Sequence, residues 1–155
     1  MATETGVTMT TNPTPSPRRS LPVPTFDNAR VADVMRYGLI TCSPEADLKD
    51  VARTMVTNQI HAVIIKRPAP DDGSTAWGVV SDLDVLGTAH PGGIDMMAYE
   101  AAATPGVTVA PDESLARAAQ LMREYATSHL IVVDRVTDEP LGVISTLDVA
   151  GALAW

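Results

Sequence analysis

Gly78-Val79-Val80-Ser81-Asp82-Leu83-Asp84-Val85-Leu86-Gly87 returns as Gly142-Val143-Ile144-Ser145-Thr146-Leu147-Asp148-Val149-Ala150-Gly151, with seven of the ten positions identical. The likeness runs upstream. At a shift of 67 positions, Thr41, Pro44, Leu48, Ala52, Met55 and Ile64 fall on Thr108, Pro111, Leu115, Ala119, Met122 and Ile131. A self-similar period of this size marks one supersecondary unit made twice, each half needing the other to bury its apolar face.

The unit follows from local chemistry. Leu39–Cys42 and Gly106–Val109 are short β-prone runs, each ended by a proline two residues on (Pro44, Pro111). Asp47 and Ser114 then stand where a side-chain oxygen can cap a helix. Leu48, Val51, Ala52, Met55 and Val56 follow at steps of three and four, as do Leu115, Ala118, Ala119 and Met122, which predicts two amphipathic helices. Ala62–Ile65 and Leu130–Val133 are continuous apolar runs of buried-strand type. Polar loops (Pro68 to Thr75, Arg135 to Pro140) lead to final strands Gly78–Val80 and Gly142–Ile144 and to helices starting at Ser81 and Ser145. The first loop is three residues longer, so the offset falls from 67 to 64. The predicted fold is α+β, with the order β-α-β-β-α twice.

Composition narrows the possibilities. The opening stretch, 1–28, is rich in Thr and Pro and lacks an apolar period, so it reads as a disordered tail. It has no continuous apolar h-region, and no stretch approaches membrane-spanning length, so a cytoplasmic protein is expected. The single cysteine, Cys42, excludes an intramolecular disulfide. A net charge of −8 argues against nucleic acid and anionic membranes as partners. Cys42, His61, His90 and His129 show no metal-ligand spacing, no nucleophile–base pair is visible, and neither an enzyme nor a cofactor is expected.

The two Ser-x-x-Asp elements admit two readings. One is a capping box, in which Ser81 or Ser145 caps the helix and Asp84 or Asp148 reaches back to the serine N–H. The other is a ligand site. A helix N-terminus after a strand offers free N–H groups and about half a unit of positive charge, which suits phosphate. A carboxylate one turn in can hold the vicinal hydroxyls of ribose. Gly78 and Gly142 would let a ligand approach backbone with no Cβ in the way. The recurrence of the element inside the same unit favours the ligand reading.

At these residues the chain resembles a tandem cystathionine-β-synthase (CBS) domain pair, the Bateman module, from about Val31 to Ala154. The proline–cap–helix stretches, the strands after them and the two Gly-h-h-Ser-x-x-Asp-h endings carry the resemblance. It implies two βαββα repeats packed about a pseudo-twofold axis, each preceded by a short helix, here Arg30–Met35 and Ile94–Ala102. The expected organisation is 1–28 tail, 29–90 first repeat and 91–155 second repeat. The resemblance further implies two clefts for AMP, ADP, ATP or a related adenosyl ligand, with S-adenosylmethionine and NAD as further candidates. By position, Ser81 and Asp84 serve one cleft and Ser145, Thr146 and Asp148 the other. Thr41, Cys42, Ala62 and Val63, with Thr108, Val109, His129 and Leu130, would line the adenine pockets.

The sequence also departs from that pattern. Ile64 and Ile131 stand where the second strand usually carries a proline, and Arg67 replaces an acidic residue. Asp82, beside the motif serine of the first repeat, places a carboxylate next to a phosphate site, where like charges disfavour binding. Neutral Thr146 holds that position in the second repeat, so the second cleft is the better candidate. The expectation is a stand-alone nucleotide-sensing regulatory module, homodimeric through the last helix of each repeat and the short leading helices, acting on a protein partner in trans. The alternative is a ligand-free interaction module with degenerate clefts.

Overall fold

Both long helices begin where the chain supplies a cap. In α2 (Leu48–Asn58) the Lys49 N–H donates to Asp47 Oδ1 at 2.8 Å, and in α5 (Leu115–Glu124) the Arg117 N–H donates to Ser114 Oγ at 3.2 Å. Leu48, Val51 and Met55 face inward from α2, and Leu115, Ala118, Leu121 and Met122 from α5. The turn after each helix contains a non-glycine residue in the left-handed region, Gln59 at φ 53° and Ala126 at φ 50°. That conformation costs an L-residue roughly 1–2 kcal/mol, and its presence at equivalent places shows the turn belongs to the unit.

The computed structural model describes residues 24–68, 71, 75–92, 94–102 and 106–154. In the first half, β2 (Thr41–Cys42) runs parallel to β3 (Ala62–Pro68), which pairs antiparallel with β4 (Thr75–Ser81). In the second, β5 (Thr108–Val109) runs parallel to β6 (His129–Val133), which pairs antiparallel with β7 (Pro140–Ser145). Helix α3 (Asp82–Gly87) follows β4 and α6 (Thr146–Leu153) follows β7. The halves repeat each other's bonds. Ile64 N–H reaches Ile40 O at 3.1 Å and Ile131 N–H reaches Val107 O at 3.0 Å. A proline at either isoleucine could not make that bond. Fully buried Ile64 and Ile131 instead meet between the sheets, with Trp77, Val79 and Val143 packed around them.

The short leading helices cross over. Helix α1 (Val31–Val34) docks on the second repeat, Val31 N–H to Glu113 O and Ala32 N–H to Pro111 O, both 2.9 Å. Helix α4 (Ala98–Ala101) docks on the first, Ala98 N–H to Ala46 O and Tyr99 N–H to Pro44 O, again 2.9 Å. Ala29, Val31 and Met35 accordingly complete the core of the second repeat, and Ala98 and Ala102 that of the first. A strand with no sequence signal, β1 (Arg36–Tyr37), extends this exchange by pairing antiparallel with β7.

Three expectations change in detail. The tail reading over 1–23 lies outside the described residues, but residues 24–28 belong to the fold: Phe26 N–H donates to Ala152 O at 3.1 Å and its ring packs on the second core. An aromatic side chain at the end of a proline-rich stretch has apolar area to bury. The β3–β4 pairing continues to Pro68 and Thr75, so the loop between them is shorter than its composition indicates; residues 69, 70 and 72–74 lie outside the described set. The leading helices are four residues each, shorter than their apolar faces imply. No helix among the described residues is long and apolar enough to cross a membrane.

Candidate functional site

Each Ser-x-x-Asp element forms a closed local circuit. Ser81 donates through N–H and Oγ–H to Asp84 Oδ2, both at 2.7 Å, and accepts the Asp84 N–H on Oγ at 3.3 Å. Ser145 and Asp148 repeat this at 2.8, 2.6 and 3.3 Å. The capping box is therefore formed twice, and one oxygen of each aspartate is committed to it.

The glycines before these elements have a structural use that differs from the one expected. A Cβ on Gly142 would overlap the carbonyl oxygen of Arg36 in β1 and come within 2.5 Å of Met35 Cε. At Gly78 it would meet Ile65 Cγ1 at 2.9 Å. What approaches these backbones closely is the protein's own packing, not a ligand.

The elements part company in their surroundings. A cleft of about 370 Å³ opens between the repeats at the start of α6. Its polar edge holds Ser145, Thr146, Asp148, Ser128 and His129 from the second repeat and Arg36, His61 and Asp82 from the first. Its apolar wall is Leu39, Ile40, Ala62, Ile64 and Val143. Asp148 Oδ1, the oxygen not used in the cap, lies 3.6 Å from Arg36 Nε; the aspartate side chain is 12 % exposed and the arginine 71 %. Asp82 Oδ2 is 2.8 Å from His61 Nδ1. His129 is 8 % exposed with Nδ1 2.9 Å from Ser128 Oγ. Burial, above all, holds the His129 imidazole below its ordinary pKa, partly offset by the Asp82 charge.

Of the residues expected to bind a ligand, Ser145, Thr146, Asp148, His129 and Ala62 meet on this cleft. Thr41 and Thr108 are exposed on short strands outside it. Cys42 packs against the first core, where burial raises its thiol pKa. Val63 sits in the first core and Val109 and Leu130 in the second. Along a strand alternate side chains face opposite ways, so Val63 points to its core while Ala62 and Ile64 on either side reach the cleft, and Leu130 does the same beside His129. Ser81 and Asp84 border neither this cleft nor the apolar cavity between α2 and α3. Arg36, His61 and Asp82 carried no signal as members of this cleft, because contact between repeats brings them there.

A second, apolar cavity of about 470 Å³ lies between α2 and α3, lined by Ala52, Met55, Val56, Ile60, Val85 and Leu86. Val56 is 79 % exposed. Among the described residues no group of three or more metal-ligating side chains comes together.

The CBS domain family matches the chain at 31–90 and again at 98–154. The CBS domain pair of protein MJ0100, solved with 5′-methylthioadenosine and S-adenosyl-L-methionine, shares the fold at a TM-score of 0.66 and 20 % identity, over 81 % of this chain and 96 % of its own. CBSX2 in complex with AMP does so at 0.61 and 22 %, again over 81 % and 96 %. The hexameric CBS-CP12 protein from bloom-forming cyanobacteria does so at 0.69 and 20 %, over 81 % and 71 %. No curated protein is similar enough in sequence to count as a match. Because the family match spans both repeats and the solved structures of this fold are CBS proteins, the chain belongs to the CBS domain family and is built as a tandem CBS pair.

Proposed function

We propose that this CBS pair is a non-catalytic regulatory module that binds an adenosine-containing ligand in the cleft at the start of α6. One observation carries the reading: the cleft brings the free oxygen of Asp148 to the rim of an apolar slot formed by Leu39, Ile40, Ile64 and Val143. A flat purine suits the slot, and a carboxylate oxygen at its edge can accept the ribose hydroxyls once Arg36 swings into solvent. An exposed arginine gives up such a pair at little cost. The adenosyl compounds bound by MJ0100 and CBSX2 support the same choice. Because the cleft has walls from both repeats, a ligand there favours one arrangement of the repeats over another, which is what a sensor acting on a partner in trans requires.

A thermal-shift screen with AMP, ADP, ATP, NAD and S-adenosylmethionine tests this. A ligand at 100 times its dissociation constant adds about 2.7 kcal/mol. If none of the five moves the melting temperature at millimolar concentration, the module works without a ligand. The apolar cavity and exposed Val56, Leu83, Leu86, Leu147 and Leu153 support an assembly role in either case. We place a homodimer interface on these helices. Light scattering that reports a monomer at tens of micromolar would remove it.

A further inference from the structure

The cleft that contains Asp148 contains a second carboxylate, Asp82, from the first turn of α3 in the other repeat. Its position in the repeat assigns Asp82 to a different cleft; contact between the repeats places it on the lining of this one, with Asp148. Asp148 is paired with Arg36, whose side chain is mostly in solvent, and Asp82 with the exposed His61.

The backbone donors at the start of α6 are largely occupied. At the start of α6, Thr146 N–H donates to Ser128 O at 2.9 Å and Asp148 N–H to Ser145 Oγ. The Ser145 N–H and Oγ–H both go to Asp148 Oδ2. Within that first turn, Leu147 N–H is left as the backbone donor without a protein acceptor among the described residues. A phosphate chain entering here would meet one free backbone N–H of α6, the Thr146 hydroxyl and the exposed Arg36 guanidinium, which Asp148 already pairs with, and the Asp82 carboxylate, in a space near the lower end of the roughly 300–1,000 Å³ that ligand pockets span.

We propose that the cleft takes an adenosyl compound whose 5′ substituent is a thioether or sulfonium in preference to one carrying a phosphate chain, and that Asp82 sets the preference. This rests on the adenosyl reading above. The selection works by repulsion: the fixed carboxylate disfavours added negative charge, tolerates a neutral sulfur and attracts a cationic one.

The test is calorimetric titration of the full chain with 5′-methylthioadenosine, S-adenosylmethionine, AMP and ATP. Repeating it on Asp82→Asn and Thr146→Asp uses one variant that removes the charge and one that adds its counterpart. In the unaltered chain, ATP should bind at least about tenfold more weakly than 5′-methylthioadenosine. Asp82→Asn should narrow that ratio about three- to tenfold, and Thr146→Asp should widen it. ATP binding as tightly as 5′-methylthioadenosine, or a ratio that neither variant changes, overturns the inference and leaves the adenosyl reading standing. Failure of all four compounds to bind removes both.

Discussion

The starts of α3 and α6 form the same cap from the same residue types, to within about a tenth of an ångström, yet only α6 places its capping pair on the 370 Å³ cleft, where α3 contributes Asp82 and Leu83 instead. Ser81 and Asp84 close their circuit with Asp84 off that cleft; Ser145 and Asp148 close theirs with an oxygen left over, facing Arg36 and the cleft. The motif specifies a helix start, which is local chemistry. Whether it also makes a site depends on what the rest of the chain brings opposite to it.

The largest effect should come from the paired glycines. Gly142→Ala drives a methyl into the β1 backbone, which cannot move without losing its pairing with β7, and should cost about 3 kcal/mol in urea unfolding. Gly78→Ala meets the end of the Ile65 side chain, which can rotate, and should cost about 1 kcal/mol. Equal costs would mean that β1 does not hold the second sheet as described. Next come the aspartates. Asp148→Ala should weaken an adenosyl ligand about ten- to a hundredfold, since a hydrogen bond to a charged group is worth roughly 1.5–3 kcal/mol. Asp84→Ala should lose only the cap, roughly 1 kcal/mol of stability, with binding in this cleft little changed. Titration beside melting curves separates the outcomes, and a reversed order would show that the ligand sits elsewhere.

A smaller effect concerns pH. His129 has its pKa lowered in the folded state from 6.5, so the unfolded chain binds its proton more readily. Its contribution is at its full value above about 6.5 and is lost as pH falls from there towards the folded value. Asp112 and Asp134, lowered from 3.8, act only at more acid pH. Replacing His129 by Gln should flatten the stability curve just below pH 6.5, measured by urea midpoints; an unchanged slope would sink the assignment. The smallest effect belongs to the left-handed turns: Ala126→Gly should raise stability by up to about 1 kcal/mol, since glycine relieves the φ of 50° there. Gln59→Gly relieves the same strain but also removes a side chain from the cleft wall, so it should alter binding as well.

The repeat, its caps, its helices and its central strands were legible from residues alone because each depends on neighbours a few positions away. Asp47 and Ser114 cap as their side chains allow, and Met55 and Met122 lie on the buried faces their spacing predicts. What was not legible is nonlocal. Arg36 and Tyr37 show no pattern, because a two-residue strand is defined by its partner Gly142 and not by its own side chains. The apolar faces of Val31 and Ala98 announce a core without saying whose. Asp82 shows this most sharply, since its place in the repeat assigned it to one cleft and the packing put it on the other.

The crossing of α1 and α4 bears on the ancestry of the fold. A peptide of one repeat with its own leading helix would have that helix poised over another molecule's core, and could satisfy both only by trading helices with a second copy. Such a half-length ancestor would be an obligate exchanged dimer, folded only as far as its concentration allowed. Joining two copies in one gene turns that encounter into an intramolecular one, at an effective concentration roughly in the millimolar range for a short linker. It also frees the copies to diverge, and the two helix starts do differ, Asp82 in one standing where Thr146 stands in the other.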